Sequence, residues 1–279
     1  MPMPEPGPFR EPDRPGRSRE RLMWVTPDRL FYAGLLGAPS MHAKGALLVY
    51  VALDGPLRIR TGTGPWQAAE VAVVQPYVPH QAACDSRHVL ALYVEPETID
   101  PDGLPDVLRA RSGPVDAPAF AAQVRRSHAR MVALGRELEL QPADFDPLVF
   151  GVGLPARRVD PRIAAALERM KHDPATALSA EDCAARAHLS VSRFLHLFRQ
   201  EAGASFRALR TWKRARSLLH HVCSDSTLVH VALDVGYPDS THFSHSIRQN
   251  FGLKPRDIFA GSRKLRLIAS GLRAEPAGA

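Results

Sequence analysis

One stretch of the sequence occurs twice in the C-terminal half, and this duplication constrains the fold more than any other feature. Residues 190–203, SVSRFLHLFRQEAG, align with residues 239–252, DSTHFSHSIRQNFG, at an offset of 49. Five of the 14 positions are identical, namely Phe194/Phe243, His196/His245, Arg199/Arg248, Gln200/Gln249 and Gly203/Gly252. In the second copy, apolar residues recur every four positions, which is typical of the buried face of an amphipathic helix. The polar residues of its other face therefore need a separate explanation.

A shorter helical stretch precedes each copy, so the repeated unit is a pair of helices joined by a tight turn. Matching positions hold an alanine and then a turn: Ala184 with His188-Leu189, and Ala232 with Gly236-Tyr237. A small alanine lets two helices approach closely, and the large side chain after the turn can fill the angle between them. The pattern predicts two helix-turn-helix units.

Capping residues stand at the predicted helix ends. The expected N-terminal caps are Ser179 with Asp182, Ser190, and Asp239 or Ser240, and the expected C-terminal glycines are Gly203 and Gly252. Serine and aspartate side chains accept hydrogen bonds from free N–H groups, and glycine adopts the left-handed conformation that ends a helix. An earlier helix is predicted to begin at Asp160-Pro161, since proline suits the first helical position.

Between the two copies, SFRALRTWKRARSLLHHV predicts one long helix capped by Ser205. The residues expected to face inward are Phe206, Leu209 and Leu219. The helix is strongly basic because it carries Arg207, Arg210, Lys213, Arg214 and Arg216. Such cations solvate a helix surface in many proteins, but here they also flank both repeated units.

Charge is distributed unevenly along the 279 residues, although the formal net charge is only +7. From Arg157 onward the net charge is +9, whereas residues 1–156 carry −2. A basic half indicates a polyanionic partner. No run of apolar residues is long enough to span a membrane, so nucleic acid is favoured over a membrane surface.

Cysteine usage and the N-terminus predict a cytoplasmic protein. The three cysteines, Cys84, Cys183 and Cys223, lie far apart and predict neither a disulfide framework nor a structural zinc site. The first residues are rich in proline and lack the apolar region of a signal peptide. We therefore expect a disordered leader over residues 1–20.

Short apolar runs separated by turn residues fill the part that follows the leader. They are RLFYAG, ALLVYVALDG, LRIRTGTG, VAVVQPYVP and HVLALYVEPE. These runs are too short for ordinary helices and predict an antiparallel β-barrel or jelly roll, which often encloses a small cavity. From Ala117 the spacing becomes helical, with an apolar stripe of Phe120, Val124, His128, Met131 and Leu134/Gly135. The protein is therefore predicted to be α+β, with a barrel followed by helices.

The repeated region resembles the DNA-binding domain of AraC/XylS family transcriptional regulators. The resemblance is carried by LSVSRFLHLFRQEAG, the long helix, and VALDVGYPDSTHFSHSIRQNFGLKP, over about residues 160–260. Residues 25–97 resemble, through looser motifs, the cupin-like sensor domain of the same regulators. The resemblance implies a sensor domain at 21–100, a helical dimerisation or linker segment at 101–156, a double helix-turn-helix domain at 157–262 and a basic flexible tail at 263–279.

In this family both recognition helices enter successive major grooves on one face of double-stranded DNA. The resemblance therefore implies DNA contacts from the first copy, the long helix and the second copy. The residues concerned are Ser192, Arg193, His196 and Arg199, then Arg210, Lys213 and Arg214, and finally Ser240, Thr241, Ser244, His245 and Arg248. Arginine reads guanine with two hydrogen bonds, and serine, threonine and histidine reach base edges or phosphates.

The sensor resemblance also implies a small-molecule effector, a homodimer and, for an activator, contact with RNA polymerase. His42, Tyr50, Trp66 and His80 are the candidates for lining an effector cavity. We expect no cofactor, no bound metal and no enzymatic activity. Two alternatives remain open: a metal-cupin enzyme that uses donors such as His42, His80, His88 and Cys84, and a regulator whose first half only dimerises.

Overall fold

A computed structural model of the protein describes residues 20–86, 88–135, 140–176, 178–223, 227–262 and 265–270. The predicted leader lies outside these residues except for residue 20. Within the described part of the chain, no helix is both long enough and apolar enough to cross a membrane.

Within the described residues ten strands form the sheet region, nine from the N-terminal half and one from the C-terminal region. They are β1 (Arg21–Val25), β2 (Arg29–Leu35), β3 (Leu47–Ala52), β4 (Leu57–Thr61), β5 (Gln67–Ala69), β6 (Val71–Val74), β7 (His80–Cys84), β8 (His88–Val94), β9 (Gly113–Val115) and β10 (Leu265–Ala269). A seven-stranded sheet has the order β10-β1-β2-β8-β3-β6-β9, and a three-stranded sheet has the order β5-β4-β7. All pairs are antiparallel except β1 with β10.

The five apolar runs all form strands, so the predicted β-rich first half is confirmed. The predicted closed barrel is not confirmed, because the described strands pair into two separate sheets. The alternation of side chains along β3 explains how the two sheets pack against each other. Leu47, Val49 and Val51 point to one face, while Leu48, Tyr50 and Ala52 point to the core between the two sheets.

Helices cover one face of the seven-stranded sheet. A short helix, α1 (Asp106–Arg109), precedes α2 (Pro118–Ala133) and α3 (Phe145–Phe150). Val124 and Met131 on α2 are fully buried in the same core as Trp24 and Phe31 of the sheet. Most of the apolar stripe predicted for this segment therefore packs on the chain's own sheet, whereas Leu134 at its end is 44% exposed.

Residues 265–269 require a correction to the predicted flexible tail. They form β10, which pairs in parallel with β1 from Arg21↔Leu265 to Val25↔Ala269. The backbone N–H and C=O groups of a strand at a sheet edge need partners, and the chain supplies them from its distant C-terminal region. The other residues of that predicted tail, 263–264 and 271–279, lie outside the described residues, apart from residue 270.

The C-terminal part is helical. Its helices are α4 (Pro161–His172), α5 (Ala180–Arg186), α6 (Val191–Ala202), α7 (Phe206–Ser217), α8 (Leu228–Asp234), α9 (Ser240–Phe251) and α10 (Pro255–Ser262). Their core contains Met23, Val25, Leu30 and Ala46 from the sheet region. The sheet and the helical part therefore share a continuous apolar core instead of being joined only by a linker.

Candidate nucleic-acid interface and adjoining cavity

The first helix pair, α5 and α6, begins and ends at the predicted residues. The Ser179 hydroxyl accepts a hydrogen bond from the N–H of Asp182 at 2.9 Å. The Ser190 hydroxyl accepts one from the N–H of Arg193 at 3.3 Å. Gly203 ends α6 with a φ of 72°, the left-handed conformation that glycine adopts without steric cost.

The second helix pair, α8 and α9, is built in the same way. The Asp239 carboxylate accepts hydrogen bonds from the N–H groups of Thr241 and His242 at 2.8 and 2.9 Å. These bonds to His242, from its backbone and its side chain, lower the pKa of Asp239. Gly252 ends α9 with a φ of 74°. The carboxylate also suits the positive end of the helix dipole.

The two turns have equivalent backbone hydrogen bonds, which shows that the sequence repeat is also a structural repeat. Leu189 N–H donates to the carbonyl of Ala184 at 2.9 Å, and Tyr237 N–H donates to that of Ala232 at 2.9 Å. The residue before each donor is left-handed, with φ of 53° at His188 and 78° at Gly236. Histidine thus adopts in the first turn the conformation that glycine supplies in the second.

The apolar faces of both longer helices are buried, as their spacing predicts. Phe194, Phe198 and Ala202 on α6 and Phe243, Ile247 and Phe251 on α9 belong to the helical core. These side chains fix the rotation of each helix about its axis. The opposite polar faces must consequently point away from the core.

Nearly all the predicted DNA-contacting residues of the two repeats lie on those outward faces. Exposed residues are Ser192, Arg193, His196 and Arg199 on α6, and Ser240, Thr241, His245 and Arg248 on α9; Ser244 is half-buried. Each helix thus presents hydroxyl, imidazole and guanidinium groups to solvent. Such groups can donate hydrogen bonds to phosphates and to base edges in a major groove.

The basic residues of α7 are less available than the sequence predicts. Arg210 is half-buried, donates to the carbonyl of Leu178 and lies 5.9 Å from the Phe206 ring. Arg214 donates to the carbonyl of Pro174 at 3.4 Å and lies 5.8 Å from the Tyr237 ring. Both guanidinium groups hold neighbouring segments in place.

Lys213 contradicts its predicted role, because it is buried and only 6% exposed. Its ammonium lies 2.7 Å from Oε2 of Glu95 and also pairs with Glu97. Burial by itself would lower the pKa of Lys213, but the two carboxylates raise it overall. The lysine therefore joins α7 to the end of β8 and cannot reach DNA from this position.

The four candidate effector residues do not line one cavity. His42 and Tyr50 line a cavity of about 520 Å³ between the sheet region and the helical part. His80 lies just behind them, 3.2 Å from the Tyr50 hydroxyl, with its ring centroid 4.3 Å from that of His42. Trp66 does not line this cavity, and instead contacts the guanidinium of Arg60 at 4.9 Å.

No group of three or more His, Cys, Asp or Glu residues in the described part of the chain is arranged to hold a metal ion. Burial, together with the charge of Lys44, lowers the pKa of His42 to about 2 and that of His80 to about 3. The two rings are therefore neutral at physiological pH. Their ring planes are tilted by 56°, with His42 in the cavity wall beside Tyr50 and His80 behind it.

Sequence reasoning missed Lys44, the most unusual residue of this cavity. It is 4% exposed, and its Nζ lies 2.5 Å from Nε2 of His42. Desolvation lowers the pKa of Lys44 to about 7. The only sequence signal is a single cation next to a long apolar strand, in MHAKGALLVY.

Lys44→Met is expected to stabilise the unliganded protein by on the order of 3 kcal/mol at pH 7 and by about 1 kcal/mol at pH 9. The pKa of Lys44 is lower in the folded protein than in the unfolded chain, so between about pH 7 and the unfolded value the unfolded chain binds the extra proton. Wild-type stability therefore rises with pH in that range, and the gap to the variant closes. The groups facing Lys44 are His42, His80 and Tyr93, which do not titrate there because burial lowers the histidine pKa values and raises that of Tyr93.

Urea unfolding of the wild type and the variant at pH 7 and pH 9 checks this expectation. Lys254→Met, at an exposed position, is the matched control and should change stability by less than about 0.5 kcal/mol. A gap that stays constant between the two pH values would contradict a depressed lysine pKa.

Comparison with known proteins supports the helical part most directly. Residues 183–261 match the family described as a helix-turn-helix domain. The chain is 38% identical over 91 residues to the HTH-type transcriptional activator RhaS of Escherichia fergusonii, covering 31% of this chain and 32% of that protein. It is 29% identical over 153 residues to RhaS of Klebsiella pneumoniae, covering 50% and 54%. The chain thus spans about a third and about half of the lengths of these relatives.

The solved structures extend the likeness to the whole fold. Apo ToxT of Vibrio cholerae has a TM-score of 0.52 and 10% identity, covering 84% of this chain and 97% of that one. A second ToxT structure has a TM-score of 0.50 at 8% identity. This likeness concerns the arrangement of a β-rich N-terminal part and a helical C-terminal part. The matched helix-turn-helix region and the RhaS relatives agree with the resemblance of the repeated region to AraC/XylS family regulators.

Proposed function

We propose that this protein is a sequence-specific, DNA-binding transcriptional regulator that reads DNA with α6 and α9 of two helix-turn-helix units. The observation that carries the proposal is the structural repeat. Two helices with equivalent caps and turns each bury an aromatic face and expose a polar, partly cationic one. Two such helices on one shared core suit two successive major grooves of a duplex.

The net charge of +9 from Arg157 onward supports a polyanionic partner. The exposed cations of the repeats, Arg193, Arg199 and Arg248, contribute to this charge without an ion-pair partner among the described residues. Phosphate contacts from such residues give affinity, whereas contacts to base edges give sequence preference. Arg193, His196, Thr241 and His245 are the residues that we assign to base or phosphate contact.

Arg193→Ala and His245→Ala are expected to weaken binding by about 1 to 3 kcal/mol and to relax preference at one position each. The measurement first selects a binding sequence from random duplexes and then determines affinity for every single-base variant of it. Arg130→Ala, on the exposed end of α2, is the matched control and should leave all affinities unchanged.

The pattern of loss separates two roles for these side chains. A base contact loses affinity for the selected sequence and loses discrimination at one base pair. Equal weakening on every sequence would contradict base reading and leave only a phosphate contact. Failure to select any sequence would contradict the proposed function itself.

We also propose that the regulator responds to a small molecule and acts as a homodimer. The cavity beside His42 and Tyr50 is of the size that holds small molecules in other proteins. The buried stripe of α2 packs on its own sheet, so a dimer would have to use the exposed face of that helix or another surface. Contact with RNA polymerase is part of this proposal if the protein is an activator.

A further inference from the structure

The exposed surface of α6 is not uniformly polar, because it carries two large apolar side chains. Val191 is 36% exposed and Leu195 is 39% exposed. They are four positions apart, so they lie next to each other on the helix surface. Neither belongs to an apolar core in the described part of the chain, whereas Phe194 and Phe198 of the same helix are fully buried. Packing among the described residues therefore does not account for the exposed surface of Val191 and Leu195.

These two apolar side chains adjoin the groups that we propose to contact DNA. Leu195 comes three positions after Ser192 and four before Arg199, and residues at these spacings are neighbours on a helix surface. His196 follows Leu195 directly, and its side chain is exposed. When Ser192 and Arg199 approach the base edges of a major groove, Leu195 therefore approaches them as well.

The second repeat holds hydroxyl groups at the same two positions. At the offset of 49, Val191 corresponds to Ser240 and Leu195 corresponds to Ser244. Helices α6 and α9 have equivalent caps, turns and buried faces, but at these positions only the side chains of α9 can form hydrogen bonds. The two helices therefore present different chemistry to DNA, although they belong to one structural repeat.

The major groove offers an aliphatic side chain one apolar group, the C5-methyl group of thymine. The other base edges carry hydrogen-bond donors or acceptors, which an aliphatic side chain cannot satisfy. Covering such a group without a hydrogen bond costs free energy, whereas contact with a methyl group removes apolar surface of both partners from water. Thymine is therefore the base that a leucine at position 195 favours.

We propose that Leu195 is a specificity-determining residue that contacts the C5-methyl group of a thymine, with Val191 extending the apolar surface beside it. The inference rests on the proposed function, because it names a base that one of the two reading helices recognises. Ser240 and Ser244 on α9 can hydrogen-bond to several base edges, so this methyl contact belongs to α6.

A duplex fits this apolar surface better than a protein partner does. Two side chains form a patch far smaller than the roughly 1,200 Å² that a stable protein interface buries in total. The exposed neighbours on the same helix, Arg193, His196 and Arg199, are cationic or hydrogen-bonding groups that suit phosphates and base edges. An apolar contact of this size, surrounded by such groups, matches one methyl group in a groove.

Replacing thymine by uracil in the DNA tests the proposal, because uracil pairs in the same way and lacks only the methyl group. The duplex is the sequence selected with the full chain, and each thymine is replaced in turn at one fixed salt concentration. We expect uracil at one or two positions to weaken binding of the wild type about threefold or more. A selected sequence without thymine, or no loss at any thymine, would overturn the proposal.

Leu195→Ser removes the apolar side chain from an exposed position. At the thymine that matters for the wild type, this variant should bind the thymine and uracil duplexes equally. Leu195→Met keeps an apolar side chain and should keep the preference for thymine. Leu233→Ser, at an exposed leucine of α8, is the matched control and should keep it as well.

A preference for thymine that persists unchanged in Leu195→Ser would overturn the assignment to this residue. Failure to select any DNA sequence contradicts the proposed function. Selection of a sequence without an effect of the methyl group contradicts the present inference alone, so the two failures are distinct.

Discussion

Glu95→Gln is expected to destabilise the protein by about 3 to 5 kcal/mol, because it leaves buried cations without their shared anion. Glu95 is fully buried at the end of β8. Its carboxylate accepts hydrogen bonds from Trp212 Nε1 at 3.0 and 3.1 Å and from Lys213 Nζ at 2.7 Å, and it lies 2.9 Å from Nε of Arg216. With Glu97, the cluster contains two carboxylates and two cations.

Glutamine is nearly isosteric with glutamate. A large loss of stability would therefore come from the missing charge and not from a cavity. Lys213 and Arg216 would then face one carboxylate, Glu97, whose pKa is raised, above all by burial. Since the cluster joins β8 to α7, unfolding should also become less cooperative between the sheet and the helical part. Both effects are measured by urea denaturation followed by circular dichroism and by tryptophan fluorescence.

Glu168→Gln is the matched control. Glu168 is exposed, and within the described part of the chain it pairs with His172 alone, at 3.0 Å, so its loss should cost less than about 1 kcal/mol. If Glu95→Gln cost no more than Glu168→Gln, the buried cluster would not hold the two parts together. Adding Lys213→Met to Glu95→Gln should restore part of the loss, because the cluster then contains one cation, Arg216, and one carboxylate, Glu97.

Gly236→Ala is expected to destabilise the protein by about 4 kcal/mol, because the turn needs a left-handed residue and has no room for a methyl group. Gly236 has a φ of 78°, and an added Cβ would lie 2.2 Å from the carbonyl oxygen of Ala175. The obstacle is backbone, which cannot move aside as a flexible side chain can. The second helix pair would therefore have to separate from the segment before α5.

Gly203→Ala separates the two causes. Gly203 has a φ of 72°, but nothing lies within 4 Å of a Cβ built there. This variant should show only the conformational cost, about 1 to 2 kcal/mol. Thermal unfolding of both variants measures the difference, and similar losses at the two glycines would mean that the contact with Ala175 relaxes freely.

Much of the helical part could be predicted from sequence because its signals are local. The caps at Ser179, Ser190, Ser205 and Asp239 all accept the expected backbone hydrogen bonds. Each bond joins residues two or three positions apart, so a short stretch of sequence contains both partners. Periodicity likewise predicted the buried faces of α6 and α9, since it depends only on spacing along one helix.

The errors arise where distant segments meet. From sequence, Trp66 and His42 are predicted to line one cavity, yet strand order and the division into two sheets place Trp66 elsewhere. Residues 265–269 carry no signal for pairing with a strand about 240 positions earlier. Neither sheet order nor edge pairing follows from the alternation of a single strand.

The sequence by itself determined the repeat, its caps and glycines, its buried faces and thus the polar faces proposed to read DNA. All of these depend on residues within one or two helical turns of each other. Only the tertiary structure decided which groups surround Lys213 and Lys44. Lys213 turns inward because Glu95 and Glu97, more than 100 positions away, supply its counter-charge, whereas Lys44 borders a cavity whose walls come from both parts of the chain. The charge of a lysine is fixed by its side chain, but its partner is fixed by the packing of segments that no local pattern connects.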